Sequence, residues 1–391
     1  MQKLETGIVV HPIADDWDRY YERDLERGNR YRSDADLLME CVSLVQTAEL
    51  LGYDFVFAPE HHVSPYGLLT NPLQLMTFLA GRTRKINFGT TVLVLPWHHP
   101  LRVAEEIALL NNLAPDRRML LGVGRGVAPF EYEALGVPYH DRRARMDESI
   151  EIIRLALSQE SFHYDGEIFT IPEVTLRPRP VATDLADCLL VAATSDESLI
   201  AGGSRGLGVI YSGQKSTGLT RADVQLLNRE RLAAGFSLSQ PVLEPWMYCA
   251  RSAAEAQERV LQASASLLLD LNNNYDQGRW DQYDRTRGYA HFAEAMTANM
   301  TVDQYANMQI WGTPEMCLEQ IRELQAQTGA RNISLQIQWG DITHDQALAN
   351  MTLFAQECMD RLHSIQAPMP DWLSIDELAS EPTNTAAVAA V

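Results

Sequence analysis

The chain has 391 residues, 46% of them hydrophobic and 21% charged, enough apolar side chain to bury a large core and unlike a disordered composition. Lys and Arg number 32 against 52 Asp and Glu, and the net charge of −20 has the wrong sign for nucleic acid or an anionic membrane surface. No basic leader with an apolar stretch opens the chain, and no apolar run reaches the roughly 18 residues of a membrane span, so a cytoplasmic protein is expected. Cys41, Cys188, Cys249, Cys317 and Cys358 are far apart without a Cys-x-x-Cys pair and read as reduced core thiols.

In chain order, Leu4 to Val10 has the length and apolarity of a strand, and Asp34 to Leu51 carries apolar residues at helical spacing until Gly52 stops it. Strand Tyr53 to Ala58, helix Pro72 to Gly81, strand Ile86 to Leu95, helix Leu101 to Leu113, strand Met119 to Val123 and helix Asp141 to Ser158 follow. Phe162 to Ile171, with Asp165-Gly166 between alternating residues, reads as a small hairpin. Strands then fall at Cys188 to Ala192, Gly208 to Tyr211, Val242 to Ala250 and Asn332 to Gln338. Their helices are Asp196 to Gly203, Arg221 to Ala234, Ala253 to Leu269, Pro314 to Thr328 and Asp345 to Ile365.

Strands alternating with helices imply a parallel sheet, and eight of them suggest an α/β protein of the (β/α)8 TIM-barrel class, with its reactive loops at the carboxyl ends of the strands. One domain is expected over residues 1–365, with insertions at about 11–33, 160–186 and 270–309, and an arm or mobile tail over 366–391. Long insertions after barrel strands are commonly lids or substrate walls. Tyr20, Tyr21, Tyr31, Tyr275, Trp280, Tyr283, Tyr289 and Phe292 make two of them aromatic, which suits an apolar or aromatic substrate and equally suits packing against the barrel.

Four clusters fall where barrel strands should end: Pro59 to His62, Gly89 to Pro96 with His98-His99-Pro100 behind it, Gly122 to Val127, and Ala192 to Ser198. Gly124-Arg125-Gly126 lets the backbone approach an anion while the guanidinium clamps it. Thr194 and Ser198 add hydroxyls at a helix start, whose amino end favours a phosphate. His61 and His62 are neighbours in an extended segment, point to opposite sides and should not share one task. Glu60, His61, His98 and His99 could be read as metal ligands of a hydrolase, but two ligands from one extended dipeptide are awkward, and no metal is expected.

Together these clusters resemble the bacterial luciferase-like family of flavin-dependent monooxygenases, in order from about Leu4 to Leu362. The most specific parts are Glu60-His61-His62, Asn87 to Thr91 with Leu95 to Arg102, and Leu121 to Gly126. The resemblance implies a barrel that takes reduced FMN from a separate flavin reductase. With O2 it oxygenates a small organic substrate through a (hydro)peroxyflavin. It assigns His61 as the catalytic imidazole, and Arg125, Arg143, Thr194 and Ser198 to the flavin phosphate. Glu60, Thr90, Thr91, Val92, Gly124, Gly126, Val127 and Ala193 complete the cofactor site, with a non-proline cis peptide between Thr91 and Val92. Gly124 stands where luciferases carry a reactive cysteine. The resemblance also implies a homodimer, or a heterodimer with a related chain, through the helices Pro72 to Gly81 and Leu101 to Leu113. A deazaflavin-dependent hydride-transfer enzyme and an inactive flavin-binding partner subunit are the alternatives within the fold.

Overall fold

The computed structural model describes residues 3–14, 17, 32–193, 195–212, 217–275 and 301–380. Eight parallel strands close into a barrel: β1 (Glu5–Val9), β2 (Phe55–Ala58), β3 (Asn87–Val94), β4 (Met119–Gly124), β7 (Leu189–Ala192), β8 (Gly208–Ser212), β9 (Val242–Glu244) and β12 (Asn332–Gln336). Around the ring the order is β1-β12-β9-β8-β7-β4-β3-β2. These are the eight strands expected from the alternation in the sequence, and the fold is the (β/α)8 barrel. The hairpin β5 (Phe162–Asp165) and β6 (Thr170–Val174) lies outside the ring.

Local chemistry sets the element ends. The helix Asp34–Leu51 begins at Ser33, whose side chain accepts from the Asp36 N–H, and stops at Gly52, whose φ of 90° closes the last turn. Inside the ring Val9, Phe55, Phe57, Leu190, Ile210 and Val242 fill the lumen, and a larger apolar layer lies between strands and helices. Gly89 is required by that filling: a Cβ there would come within 2.2 Å of the Phe57 ring.

One expected strand is divided. Val242 to Ala250 reads as a single apolar run, but only Val242–Glu244 stays in the barrel, while β10 (Met247–Cys249) leaves to pair in parallel with β11 (Ile310–Gly312). Pro245 stands between the two and has no N–H to continue a ladder. The helix starting at Ala253 runs to Tyr275, beyond the expected end at Leu269; residues 276–300 of the insertion lie outside the described residues. At the carboxyl end of the chain Gln366 bridges Lys3, and Ala367, Leu373 and Leu378 are buried in the main core. All five cysteines are free; four are buried and Cys188 is half-buried. Among the described residues no helix is long and apolar enough to cross a membrane.

Candidate active site at the carboxyl ends of the barrel strands

Thr91 and Val92 on β3 are half-buried between buried Thr90 and Leu93, and Ala192 at the end of β7 is exposed beside buried Val191. Solvent therefore enters at the carboxyl end of the ring, where the candidate residues gather. The Thr91–Val92 peptide is cis.

On one side of this opening Arg125, Arg143 and Ser198 gather around two glycines. Gly124 ends β4 with no room for a side chain, since its Cβ would lie 2.6 Å from Val92 Cγ2. Gly126 has a φ of 66°, and its Cβ would lie 2.8 Å from the Trp97 ring. Between them Arg125 donates from Nη2 to Ser198 Oγ at 3.1 Å, and the Tyr132 hydroxyl holds the Arg125 carbonyl. The Tyr139 hydroxyl donates to the Val127 carbonyl at 3.3 Å. Ser195 caps the helix Asp196–Ser204 by accepting the Ser198 N–H, and its hydroxyl meets Ser198 Oγ at 3.0 Å. Arg143 pairs with Glu197 at 2.6 Å, and burial together with the nearby Arg125 charge lowers the Arg143 pKa. Two guanidiniums, a serine hydroxyl and a helix start thus converge where a phosphate dianion would relieve their repulsion. Ala193 is buried beside this cradle, and Thr194 lies outside the described residues.

A second side is held by Glu60, 2% exposed. Its Oε2 accepts the Val94 N–H at 2.7 Å, and its Oε1 meets His98 Nε2 at 2.6 Å and His62 Nε2 at 3.0 Å. Burial would raise this carboxyl, but the bonds from His62, His98 and Val94 outweigh it and hold the pKa below the ordinary value. The same contact raises His98 against the opposing effect of burial. Glu60, expected at the cofactor, has both oxygens engaged in tying the β2 loop to the end of β3.

His61 faces a different set of groups. Its ring meets Tyr66 edge-on at 4.8 Å and stacks with His11 at 5.5 Å, with Tyr275 at 6.4 Å. Gly67 makes room for the pair: a Cβ there would lie 2.9 Å from His61 Cβ and 3.1 Å from His11 Nε2. The His11 Nε2 is shut off from solvent without a hydrogen-bond partner, and burial, with His61 beside it, pushes this imidazole down to about 3. Glu131, 1% exposed, stands 3.4 Å from His61 Nδ1 and accepts the His62 N–H at 2.8 Å through the same oxygen. Glu131 sits on a short helix, Pro129–Leu135, that is not among the expected elements. Pro129 in the first turn and Gly136 at the left-handed stop were the available signals.

The floor of the opening carries Thr91, whose Oγ1 bonds Glu244 Oε2 on β9. Glu244 is fully buried, and burial pushes its carboxyl up to about 8 against the contrary effect of Thr91. Among the described residues no cluster of His, Cys, Asp and Glu is suited to hold a metal.

The fold and the sequence define the class: the profile of the luciferase-like monooxygenase family matches residues 25–332, and the chain belongs to that family. Among its relatives is the alkanal monooxygenase alpha chain of Photorhabdus luminescens, 25% identical over 346 residues that cover 85% of this chain and 94% of the relative. The monooxygenase RslO1 from Streptomyces bottropensis superposes with a TM-score of 0.73 at 23% identity, covering 92% of this chain and 99% of that one. The oxygenating constituent of 3,6-diketocamphane monooxygenase from Pseudomonas putida, solved in complex with FMN, gives 0.68 at 19%, covering 94% and 100%. The fold is shared as well by an F420-dependent secondary alcohol dehydrogenase in complex with an F420-acetone adduct, at 0.67 and 15%, covering 91% and 98%.

Proposed function

We propose that this chain is the oxygenating component of a two-component monooxygenase, binding reduced FMN supplied by a separate flavin reductase and using O2 to oxygenate a small apolar or aromatic substrate. The observation that carries the reading is the anion cradle: Arg125 on Ser198 between two glycines that admit no Cβ, with Arg143 alongside. Its charge and its donors suit a terminal phosphate. When bound, reduced FMN supplies the electrons and the site of reaction with O2.

The chain's own residues divide the remaining work. Arg125, Arg143 and Ser198 hold the phosphate, with Thr194 between the cradle's two halves in sequence. The mouth residues Thr90, Thr91, Val92, Gly124, Gly126, Val127 and Ala193 shape the bed for the ring. Glu60 supports that bed from behind, through His62, His98 and the β3 terminus. His61 offers an imidazole to the cavity. The acceptor oxygen of Glu131 near Nδ1 favours the Nδ1–H tautomer, which leaves the Nε2 lone pair to take and return a proton. Tyr66 and Tyr275 set aromatic rings beside this imidazole. Phe78, Leu109 and Leu113 are exposed on the helices Pro72–Ala80 and Pro100–Leu113, which supports assembly through that face as a homodimer or with a related chain.

The reading is tested by calorimetric titration of FMN into the wild type and Arg125→Ala, followed by oxygen uptake with reduced FMN and a panel of apolar substrates. Binding that depends on Arg125, together with substrate-dependent uptake, is expected. The hydride-transfer alternative, favoured by the F420-dependent fold neighbour, requires turnover with reduced F420 and no oxygen consumption.

A further inference from the structure

Glu244 ends β9, and β9 and β3 are four places apart in the ring of eight, on opposite sides of the barrel. Val242, two residues earlier, packs into the lumen, so strand alternation turns Glu244 inward as well, one layer nearer the open end. Its side chain crosses the lumen to Thr91 Oγ1. Glu244 is sealed from solvent, whereas Thr91 is half-buried at the open end of the ring. The Glu244 Oε1 is buried with no hydrogen-bond partner, and Gln336 Nε2 donates to the Glu244 main-chain carbonyl at 2.9 Å.

A buried carboxylate needs partners on both oxygens, and this group has one hydrogen bond. It is therefore a carboxylic acid at neutral pH, in accord with a pKa pushed up to about 8 by burial. A neutral carboxyl keeps its hydrogen on the oxygen that has a partner. Thr91 Oγ1 is placed to donate to an ionised Glu244; with the acid hydrogen on Oε2 the direction reverses, Glu244 donates to Thr91 Oγ1, and the Thr91 hydrogen is freed for another acceptor.

The geometry points to Glu244 as a positioning residue for the cofactor: with Thr91 it makes a neutral donor chain that ends at the cavity floor and favours the reduced, anionic flavin over the oxidised one. A donor held ready in a dry site stabilises negative charge without reorganising. This inference rests on the FMN reading above and adds a preference for one redox state to it.

The test is anaerobic binding of oxidised and of reduced FMN to the wild type, Glu244→Leu, Glu244→Gln and Thr91→Val, with the midpoint potential of the bound flavin. Glu244→Leu is expected to keep oxidised FMN affinity within about threefold, and both Glu244→Leu and Thr91→Val to weaken reduced FMN about tenfold relative to oxidised FMN, a fall of about 30 mV for a two-electron couple. Glu244→Gln, whose amide N–H can replace the acid donor, restores the wild-type ratio. If Glu244→Leu does not fold, Thr91→Val cuts the same link from the opposite strand and decides the matter. An unchanged ratio of reduced to oxidised affinity in the folded variants overturns the relay and leaves the FMN reading standing. A wild type that binds FMN in neither state overturns both.

Discussion

His61 and Glu131 meet at 3.4 Å at the mouth of the barrel, and the same Glu131 oxygen takes the His62 N–H at 2.8 Å. One buried carboxylate thus fixes the backbone after His61 and faces its Nδ1, so the imidazole is presented in one orientation. Replacing His61 by Ala is expected to leave FMN affinity within a few fold, because the phosphate cradle is elsewhere. Coupled turnover should fall by about 10² to 10⁴, with reduced FMN and O2 yielding hydrogen peroxide in place of product. Glu131→Gln should show a smaller loss of the same kind. Product and peroxide yields per O2 consumed measure both; wild-type coupling in His61→Ala would make the imidazole structural. His62→Ala, which removes a ring held by Glu60, should lower thermal stability more than coupling.

Gly67→Ala tests the packing around that imidazole without touching its chemistry. A methyl group there meets His61 and His11 at about the distance of a clash. Turnover should fall at least several fold while FMN affinity stays unchanged, and a crystal structure of the variant should show the His61 ring displaced.

At the cradle, a charge-assisted contact is worth about 1.5 to 3 kcal/mol, so Arg125→Ala should weaken FMN by roughly ten- to a hundredfold. Arg143→Ala should cost less, since Arg143 is already paired with Glu197 at 2.6 Å and gives up that pair to reach a phosphate. Riboflavin, which lacks the phosphate, should bind wild type and Arg125→Ala alike. Equal loss of riboflavin and FMN binding in calorimetry would place the arginine's role elsewhere.

Stability should respond to pH through Glu244. Its carboxyl has an ordinary value of 4.5 and is pushed up to about 8 in the folded chain by burial. Between those values the folded state holds a proton that the unfolded state has released, so stability falls as pH rises, by up to about 1.4 kcal/mol per pH unit. Asp270, raised to about 6 by burial, acts in the same direction over a lower range. Glu244→Gln removes the first contribution. Urea unfolding between about pH 5 and 8 should show the variant gaining on the wild type as pH rises, and a constant difference would mean that Glu244 is ionised throughout.

Apolar residues left on the helices Pro72–Ala80 and Pro100–Leu113 predict self-association. Phe78 is 45% exposed, Leu109 46% and Leu113 60%. Light scattering at micromolar concentration should give the mass of a dimer, and Leu109→Asp should lower it; a monomeric wild type contradicts assembly through this face unless a related chain is required.

The barrel was legible because each strand is a short apolar run bounded by a helix with its own signals, as at Ser33 and Gly52 around the first helix. The meeting of Arg125 with Ser198 was legible for the same reason: glycines on either side of Arg125 at a strand end are a local pattern. Glu131 and Glu244 were not. Glu131 acts on His61 from 70 residues away, and Glu244 acts on Thr91 from 153 residues away. Neither carries a local pattern that separates it from a surface acid, and only closure of the ring brings them to their partners. The division of the run Val242 to Ala250 was visible in Pro245 but outweighed by its apolar flanks.

The reaction proposed for this chain places an atom of O2 on an organic substrate at the expense of reduced FMN. The most direct measurement supplies reduced FMN from a separate reductase under isotopically labelled O2, with a panel of apolar and aromatic substrates, and follows label in the product by mass spectrometry. One labelled oxygen is expected in the product, and neither His61→Ala nor omission of the reductase should support its incorporation. Turnover with reduced F420, with no oxygen consumed and no label incorporated, would contradict it.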